Sequence, residues 1–98
     1  METNYNIHNN EQEQQLEVLL TGEKATLTYR FYKKDIALMH TYVPPALEGK
    51  GIAGALARAA FALAKELHKP VMVYCPFVGN FLKTHPEYLP QLDPAYRS

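Results

Sequence analysis

Cysteine and tryptophan are scarce in this chain of 98 residues, which has one cysteine, Cys75, and no tryptophan. A single thiol forms no disulfide within the chain and supplies no thiolate cluster for a metal. The four histidines also lack a ligand spacing such as two histidines four positions apart. We therefore expect a protein of the reducing cytoplasm that binds no metal.

An excess of charge is absent as well, because 10 lysine and arginine residues balance 10 aspartate and glutamate residues for a formal net charge of zero. No overall field then attracts nucleic acid or an anionic membrane. No apolar run approaches the roughly 20 residues that a membrane-spanning helix needs. The first residues lack the basic start and the apolar stretch of a secretory signal. Neither a nucleic-acid partner nor a membrane is expected.

The composition and the length predict one small globular domain. Hydrophobic residues make up 47% of the chain and charged residues 20%, as in ordinary globular proteins. Residues 1–14 are rich in Asn, Gln and Glu and hold too few apolar side chains to offset the entropy of ordering. We expect a flexible N-terminal tail over residues 1–14 and a single domain over residues 15–98, since a chain of this length cannot build two cores.

Alternating apolar and polar residues predict three antiparallel strands. The first two form a hairpin within residues 16–31, with a turn at Thr21 and Gly22. The third, residues 36–43, ends at Pro44, which has no N–H for a strand ladder. Strict alternation would place the following side chains of the third strand on one face: Ile36, Leu38, His40 and Tyr42.

A helix and a fourth strand follow. Apolar residues at three- and four-residue steps predict a main helix at about residues 51–68, and Pro70 prevents its continuation. Residues 71–74, VMVY, have the composition of a buried strand. A helix between two strands predicts a β-α-β crossover that leaves the strands parallel. With a short second helix at residues 77–85, the expected fold is α/β, with a mixed sheet of three antiparallel strands and one parallel strand.

The strongest local signal is the junction of the third strand with the main helix, where residues 43–54 read VPPALEGKGIAG. Glycines such as Gly49 and Gly51 let the backbone adopt positive φ and let an anion approach the main chain. The unpaired N–H groups and the dipole at the start of a helix attract phosphate oxygens. The junction is therefore a candidate pyrophosphate site.

The glycine spacing alone leaves other interpretations open. A turn that only reverses the chain can have the same pattern. A dinucleotide-binding fingerprint requires a larger parallel sheet and an acidic residue about 20 positions further on, and this chain is too short for that sheet. A Walker loop requires Gly-Lys followed by Ser or Thr, which is absent. Besides a structural turn, a phosphate-bearing ligand at one strand-loop-helix unit remains.

The junction belongs to a wider set of residues spread over about residues 16–90. The set comprises Val43-Pro44, Glu48-Gly49-Lys50-Gly51-Ile52-Ala53, His40-Thr41, Cys75-Pro76-Phe77 and His85-Pro86-Glu87-Tyr88. The first two pieces resemble the coenzyme A loop of the GNAT superfamily of N-acetyltransferases. The other pieces resemble the small, truncated branch of that superfamily, and they are more specific to this branch than the glycines are.

This resemblance implies a GNAT-like sheet and acetyl-coenzyme A as the co-substrate. The backbone of Tyr42 and Val43 would meet the pantetheine arm in a gap where two parallel strands part, and the acetyl thioester would lie near Cys75. The residues that would bind the pyrophosphate are Gly49, Lys50, Gly51, Ile52, Ala53 and Gly54.

Two positions depart from the larger enzymes of the superfamily, and they leave the catalytic residues open. Ala46 stands where those enzymes carry Gln or Arg, and Phe81 is nearest to their general-acid tyrosine but has no hydroxyl. Cys75 can accept acetyl or protonate a leaving thiolate, or it can be a small buried core residue. His40 can act as the base, since histidine titrates near neutral pH, or it can be a hydrogen-bonded strand residue.

Three functions follow from these observations. The first is an acetyl-coenzyme A-dependent N-acetyltransferase in which an amine of a small molecule or of a protein attacks the thioester directly. The second is a non-catalytic coenzyme A-binding or sensing module, which Ala46 and Phe81 favour. The third is a protein-interaction domain whose glycines are purely structural. An exposed strand edge in so small a sheet makes a homodimer compatible with each of them.

Overall fold

The computed structural model describes residues 5–95, which fold into five strands and two α-helices. Residues 1–4, at the start of the predicted tail, and residues 96–98 lie outside the described residues. The strands are β1 (Ile7–Asn10), β2 (Gln15–Leu20), β3 (Glu23–Tyr32), β4 (Asp35–Tyr42) and β5 (Val71–Val73). The helices are α1 (Ile52–Glu66) and α2 (Pro76–Thr84), and short 3₁₀ segments lie at Pro45–Leu47 and Pro86–Gln91.

The strands form one sheet in the order β1-β2-β3-β4-β5. Neighbours are antiparallel from β1 to β4 and parallel between β4 and β5. The chain reaches β5 from β4 through α1, as a β-α-β crossover requires. The predicted fold class, a mixed sheet with a crossover helix and a short second helix, is confirmed.

Both helices cover one side of the sheet, the helix face, and the core lies between them and the strands. The buried strand residues on the helix face are Leu16, Val18, Ala25, Leu27, Tyr29, Ile36, Leu38, Val71 and Val73. Four of the seven buried residues of α1 are alanines, and such small side chains let a helix lie close to a sheet. Among the described residues, no helix is long and apolar enough to cross a membrane.

The prediction of a flexible tail over residues 1–14 is wrong for residues 7–10, which form β1. Their backbone pairs with β2, from Ile7 opposite Val18 to Asn10 opposite Gln15. The Tyr29 hydroxyl donates a hydrogen bond to Asn9 Oδ1 at 2.7 Å. Backbone pairing does not depend on apolar side chains, so a polar segment can join a sheet when a neighbouring strand offers a free edge.

A β-bulge in β4 overturns the prediction that Leu38, His40 and Tyr42 share one face. Thr28 lies opposite His40 and Tyr29 lies opposite Leu38, so the intervening Met39 has no partner on β3. One unpaired residue reverses the alternation beyond it. His40 and Tyr42 therefore lie on the open face of the sheet, which is the side away from the helices and also carries Thr26 and Thr28.

Candidate functional site

The glycine turn, residues 48–54, comprises the loop before α1 and the first three residues of that helix. Gly49 has φ 81° and Gly51 has φ 75°, in the left-handed region that favours glycine. A methyl group placed on either α-carbon would meet no atom within 4 Å. Gly51 is the N-cap of α1, and the first intrahelical hydrogen bond runs from Ala55 N to Gly51 O at 3.1 Å. The amides of residues 52–54 precede this bond and are available to an anion.

A pocket of about 250 Å³ lies beside the glycine turn. It is lined by Val43, Leu47, Glu48, Gly49, Gly51, Ile52, Ala53, Gly54 and Phe77. Six of the eight residues predicted to bind the cofactor are in this lining, whereas Tyr42 and Lys50 are not. Phe77 is an addition that no local pattern could reveal, because it reaches the pocket from the start of α2, far along the chain.

The two parallel strands part close to this pocket. Their pairing ends with Leu38 opposite Val73. The Leu38 carbonyl then accepts hydrogen bonds from Tyr74 N at 2.9 Å and from Cys75 N at 3.1 Å. Strand β4 continues to Tyr42, whereas β5 ends at Val73 and the chain turns into α2. The last four residues of β4 therefore extend beyond the paired part of β5.

Cys75 lies at the point where the strands part, on the helix-face side. Its side chain is 2% exposed and belongs to the hydrophobic core. The Cys75 Sγ and Thr41 Oγ1 atoms are 3.0 Å apart, within hydrogen-bonding distance. This contact links the part of β4 that extends beyond β5 to the residue that caps α2.

His40 lies on the open face and is exposed to solvent. Its backbone carbonyl accepts a hydrogen bond from Thr28 Oγ1 at 3.3 Å. Since Thr41 faces the core opposite Leu27, its neighbour His40 faces the other way. The structure thus brings His40 and Cys75 to the same part of the sheet but places them on opposite faces. Their catalytic assignment stays a prediction.

An arginine that the sequence pattern did not single out lies at the rim of the pocket. The guanidinium carbon of Arg58 is 5.9 Å from the centre of the Phe81 ring. One of its nitrogens would be 3.8 Å from a β-carbon placed on Gly54, which lines the pocket. Because Arg58 is one turn after Gly54 on α1, its side chain points back toward the start of the helix. The site therefore has a cation near Gly54, the last of the three residues with an available amide.

Phe81 is held in place by further ring contacts. The His85 ring stacks on it with centroids 4.0 Å apart, and Tyr88 is 5.8 Å away. His85 Nδ1 is 3.0 Å from the Phe81 carbonyl oxygen. These contacts tie the end of α2 to the following 3₁₀ segment, and they favour a structural role for His85.

A separate ionic cluster lies at the other end of β4. Lys34 Nζ is 2.9 Å from Asp93 Oδ2 and 3.4 Å from Asp35 Oδ1, and both carboxyl groups are largely buried. Burial and the neighbouring Asp93 raise the pKa of Asp35. Hydrogen bonds from the Asp35 carboxyl, Lys34 and the Ala95 amide lower the pKa of Asp93 to about 2. The cluster joins the C-terminal segment to the sheet.

The mixed sheet, the crossover helix and the open glycine turn beside parting strands define an α/β domain of the GNAT type. A family model described as GCN5-related N-acetyl-transferase matches residues 15–92, most of the chain. The chain belongs to this family.

The chain is also similar to the protein called Protein NATD1 in several animals. It is 36% identical to the Bos taurus protein over 93 residues, which covers 90% of this chain and 82% of the relative. Identity to the Xenopus tropicalis protein is 33% over 93 residues, with 90% of this chain and 85% of the relative covered. For the Homo sapiens protein it is 33% over 93 residues, with coverage of 90% and 82%. The similarity therefore spans the domain and extends well beyond the glycine turn.

Proposed function

We propose that this chain is an acetyl-coenzyme A-dependent N-acetyltransferase that acts on an amine. The observation that carries the proposal is an open glycine turn at the start of α1, beside two parallel strands that part. Family membership supports a general acetyltransferase role. The use of acetyl-coenzyme A and the choice of acceptor go beyond that role.

The residues of the turn fit a pyrophosphate. Gly49 and Gly51 face open space, so phosphate oxygens can approach the backbone closely. The amides of residues 52–54 lie in the first turn of α1, where the helix dipole also favours an anion. Arg58 adds a positive charge at the rim of the pocket. This charge offsets the negative charge of Glu48, which is the one charged residue among the described residues of the pocket lining. We expect Arg58 to replace the side-chain contact that Ala46 cannot make.

The end of β4 pairs with β3 but has no neighbour on its β5 side, and this open edge fits the amide groups of a pantetheine arm. A strand edge without a neighbour presents backbone N–H and C=O groups that a ligand can pair with. Tyr42 and Val43 lie in this stretch, and the Val43 side chain also lines the pocket. We expect their backbone to orient the ligand and the Tyr42 ring, which is half exposed on the open face, to remain outside.

When bound, acetyl-coenzyme A supplies a thioester whose acetyl group can move to an amine. His40 is exposed two residues beyond the last residue of β4 that pairs with β5, so an acceptor on the open face can reach its imidazole. The imidazole can take the proton that the attacking amine loses. Holding the two reactants together is the other main contribution of the protein.

Cys75 has a packing role in this proposal. A nucleophile that forms a covalent intermediate must be reached by the substrate, and the Cys75 side chain is 2% exposed. Its contact with Thr41 Oγ1 instead stabilises the point where β4 and β5 part. Direct attack by the amine requires no acetylated cysteine.

A non-catalytic coenzyme A-binding module is the second candidate. Phe81 offers no hydroxyl to protonate a leaving thiolate, and its ring is buried beneath Arg58. Such a module would keep the glycine turn and bind the cofactor without turnover. The acceptor amine stays a prediction for the transferase, and a homodimer and a cytoplasmic location stay predictions for either candidate.

Calorimetric titration with acetyl-coenzyme A and a thiol-release assay with a panel of amines and peptides test the proposal together. Gly51→Ala should weaken binding about 10-fold, because a β-carbon in the left-handed region costs about 1–2 kcal/mol and displaces the neighbouring amides. Gly22→Ala is the matched control, since Gly22 has φ 79° and equally open surroundings at the β2–β3 turn. Both variants should lose stability, but only Gly51→Ala should lose affinity.

The outcomes separate the candidates. Binding together with thiol release supports the transferase. Binding without release for any amine supports the non-catalytic module. No binding at millimolar ligand contradicts both and favours the interaction domain.

A further inference from the structure

The N-terminal segment contacts the glycine turn directly. The Tyr5 hydroxyl donates a hydrogen bond to the backbone carbonyl of Lys50, 45 residues away along the chain. Tyr5 is partly buried, and its ring packs against the hydrophobic core. The family match begins at residue 15, so Tyr5 lies outside the part of the chain that defines the family.

This bond determines the direction of the amide that follows. The Lys50 carbonyl and the Gly51 N–H belong to one planar peptide group, and in a trans peptide the two point in opposite directions. A hydroxyl that holds the carbonyl on the Tyr5 side therefore keeps the Gly51 N–H pointing away from Tyr5. Gly51 lines the pocket beside the turn.

Such a constraint matters because the turn is intrinsically free to move. Glycines at 49 and 51 flank Lys50, and glycine has more accessible backbone conformations than any other residue. The peptide plane between Lys50 and Gly51 can therefore rotate at little cost, since no side chain restricts φ of Gly51. An external hydrogen bond that selects one orientation reduces the entropy lost when a ligand binds.

The segment that carries Tyr5 is itself anchored. Strand β1 begins two residues after Tyr5 and pairs with β2 along its length. The Tyr29 hydroxyl also holds Asn9 within β1. The Tyr5 ring is therefore supported by the sheet, and its hydroxyl can position the turn.

We propose that Tyr5 is a positioning residue that preorganises the glycine turn for the pyrophosphate of coenzyme A. The inference rests on the proposed function, because it concerns the same site. It assigns to the N-terminal segment a role in cofactor affinity that is distinct from its contribution to folding.

The test compares Tyr5→Phe with Tyr29→Phe in the full chain. Each variant keeps the aromatic ring and removes one hydroxyl. The Tyr5 hydroxyl belongs to the N-terminal segment, and the Tyr29 hydroxyl donates its hydrogen bond to that segment. Calorimetric titration with coenzyme A gives the dissociation constant, and the unfolding midpoint without ligand reports stability. Loss of one hydrogen bond should raise the dissociation constant of Tyr5→Phe about 3- to 10-fold. Tyr29→Phe should lower the unfolding midpoint and leave the dissociation constant within about 2-fold of the wild type, because its bond does not reach the turn.

The results distinguish a failure of the inference from a failure of the proposed function. If the wild type binds coenzyme A and Tyr5→Phe binds equally well, Tyr5 does not position the turn. If both variants weaken binding by the same factor, the effect comes from loosening β1, and the specific role of Tyr5 is wrong. If the wild type itself does not bind coenzyme A, the proposed function fails and the inference fails with it.

Discussion

His40 and Cys75 were both predicted from the sequence as candidate catalytic residues, and their burial separates the roles open to them. His40 is exposed on the open face, where an acceptor can approach. Cys75 is buried in the core against Thr41. A proton acceptor needs access to the reacting amine, whereas a packing residue needs neighbours on all sides.

We expect His40→Ala to lower kcat roughly 100-fold, the usual contribution of a positioned general base. The dissociation constant of coenzyme A and the unfolding midpoint should change little, because the side chain is exposed.

Cys75→Ala should show the opposite pattern, with kcat within about 3-fold of the wild type and an unfolding midpoint lowered by about 4–8 °C for about 1 kcal/mol of lost packing. Steady-state kinetics and thermal unfolding check both variants. A large loss of kcat in Cys75→Ala without loss of stability would show that the thiol takes part in the reaction.

The pair of Asp35 and Asp93 predicts a pH dependence of stability. The lowered pKa of Asp93, about 2 against an ordinary 3.8, stabilises the fold above pH 3.8, and this is lost as the pH falls toward 2. The raised pKa of Asp35 acts in the other direction: its contribution is complete below pH 3.8 and is lost as the pH rises through the folded-state pKa. The cluster is therefore most favourable with Asp93 ionised and Asp35 protonated.

Asp93→Asn should lower the unfolding midpoint at pH 7, and its difference from the wild type should shrink as the pH falls toward 2. Asp35→Asn should keep the midpoint at pH 7 or raise it, because an amide N–H can donate to Asp93 without burying a second charge. Thermal unfolding of both variants from pH 2 to pH 8 is the measurement. Equal destabilisation of the two at pH 7 would contradict the opposite directions of the two pKa shifts.

At the scale of elements, the bulge in β4 determines what the strand presents to each side. Without the unpaired Met39, His40 and Tyr42 would point into the core beneath α1. With it, Thr41 points toward Cys75 and His40 points to solvent. Alternation in the sequence correctly predicted the strand and its pairing. It could not predict the bulge, because Met39 fits either face and the mismatch with β3 exists only in the sheet.

The pocket between the start of α1 and the start of α2 gives a prediction for Arg58. Arg58→Met keeps the aliphatic stem over Phe81 but removes the charge, so we expect affinity for coenzyme A to fall about 5-fold and its salt dependence to weaken. Lys65→Met is the control, because it removes the same charge near the other end of α1. Titrations at two salt concentrations check this. Equal losses in both variants would mean that only net charge matters.

At the scale of the whole molecule, a ligand that binds the native state should strongly stabilise a domain of this size. At a concentration 100 times the dissociation constant, the gain is about 2.7 kcal/mol. This corresponds to a rise of about 10–20 °C in the unfolding midpoint of a domain of roughly 100 residues. Thermal unfolding with and without acetyl-coenzyme A measures it. A midpoint that does not depend on ligand concentration would contradict binding.

The sequence by itself determined the strands β2 to β5, the crossover helix and the glycine turn, because these depend on local periodicity and on the backbone preferences of glycine and proline. Only the tertiary structure decided the features that join distant residues: β1 on the sheet edge, the bulge at Met39, and the contact of Tyr5 with Lys50. The same holds for the positions of Phe77 and Arg58 at the pocket. Each of these is a choice among several locally acceptable conformations. The free energy that makes the choice comes from partners elsewhere in the chain, so no local pattern records it.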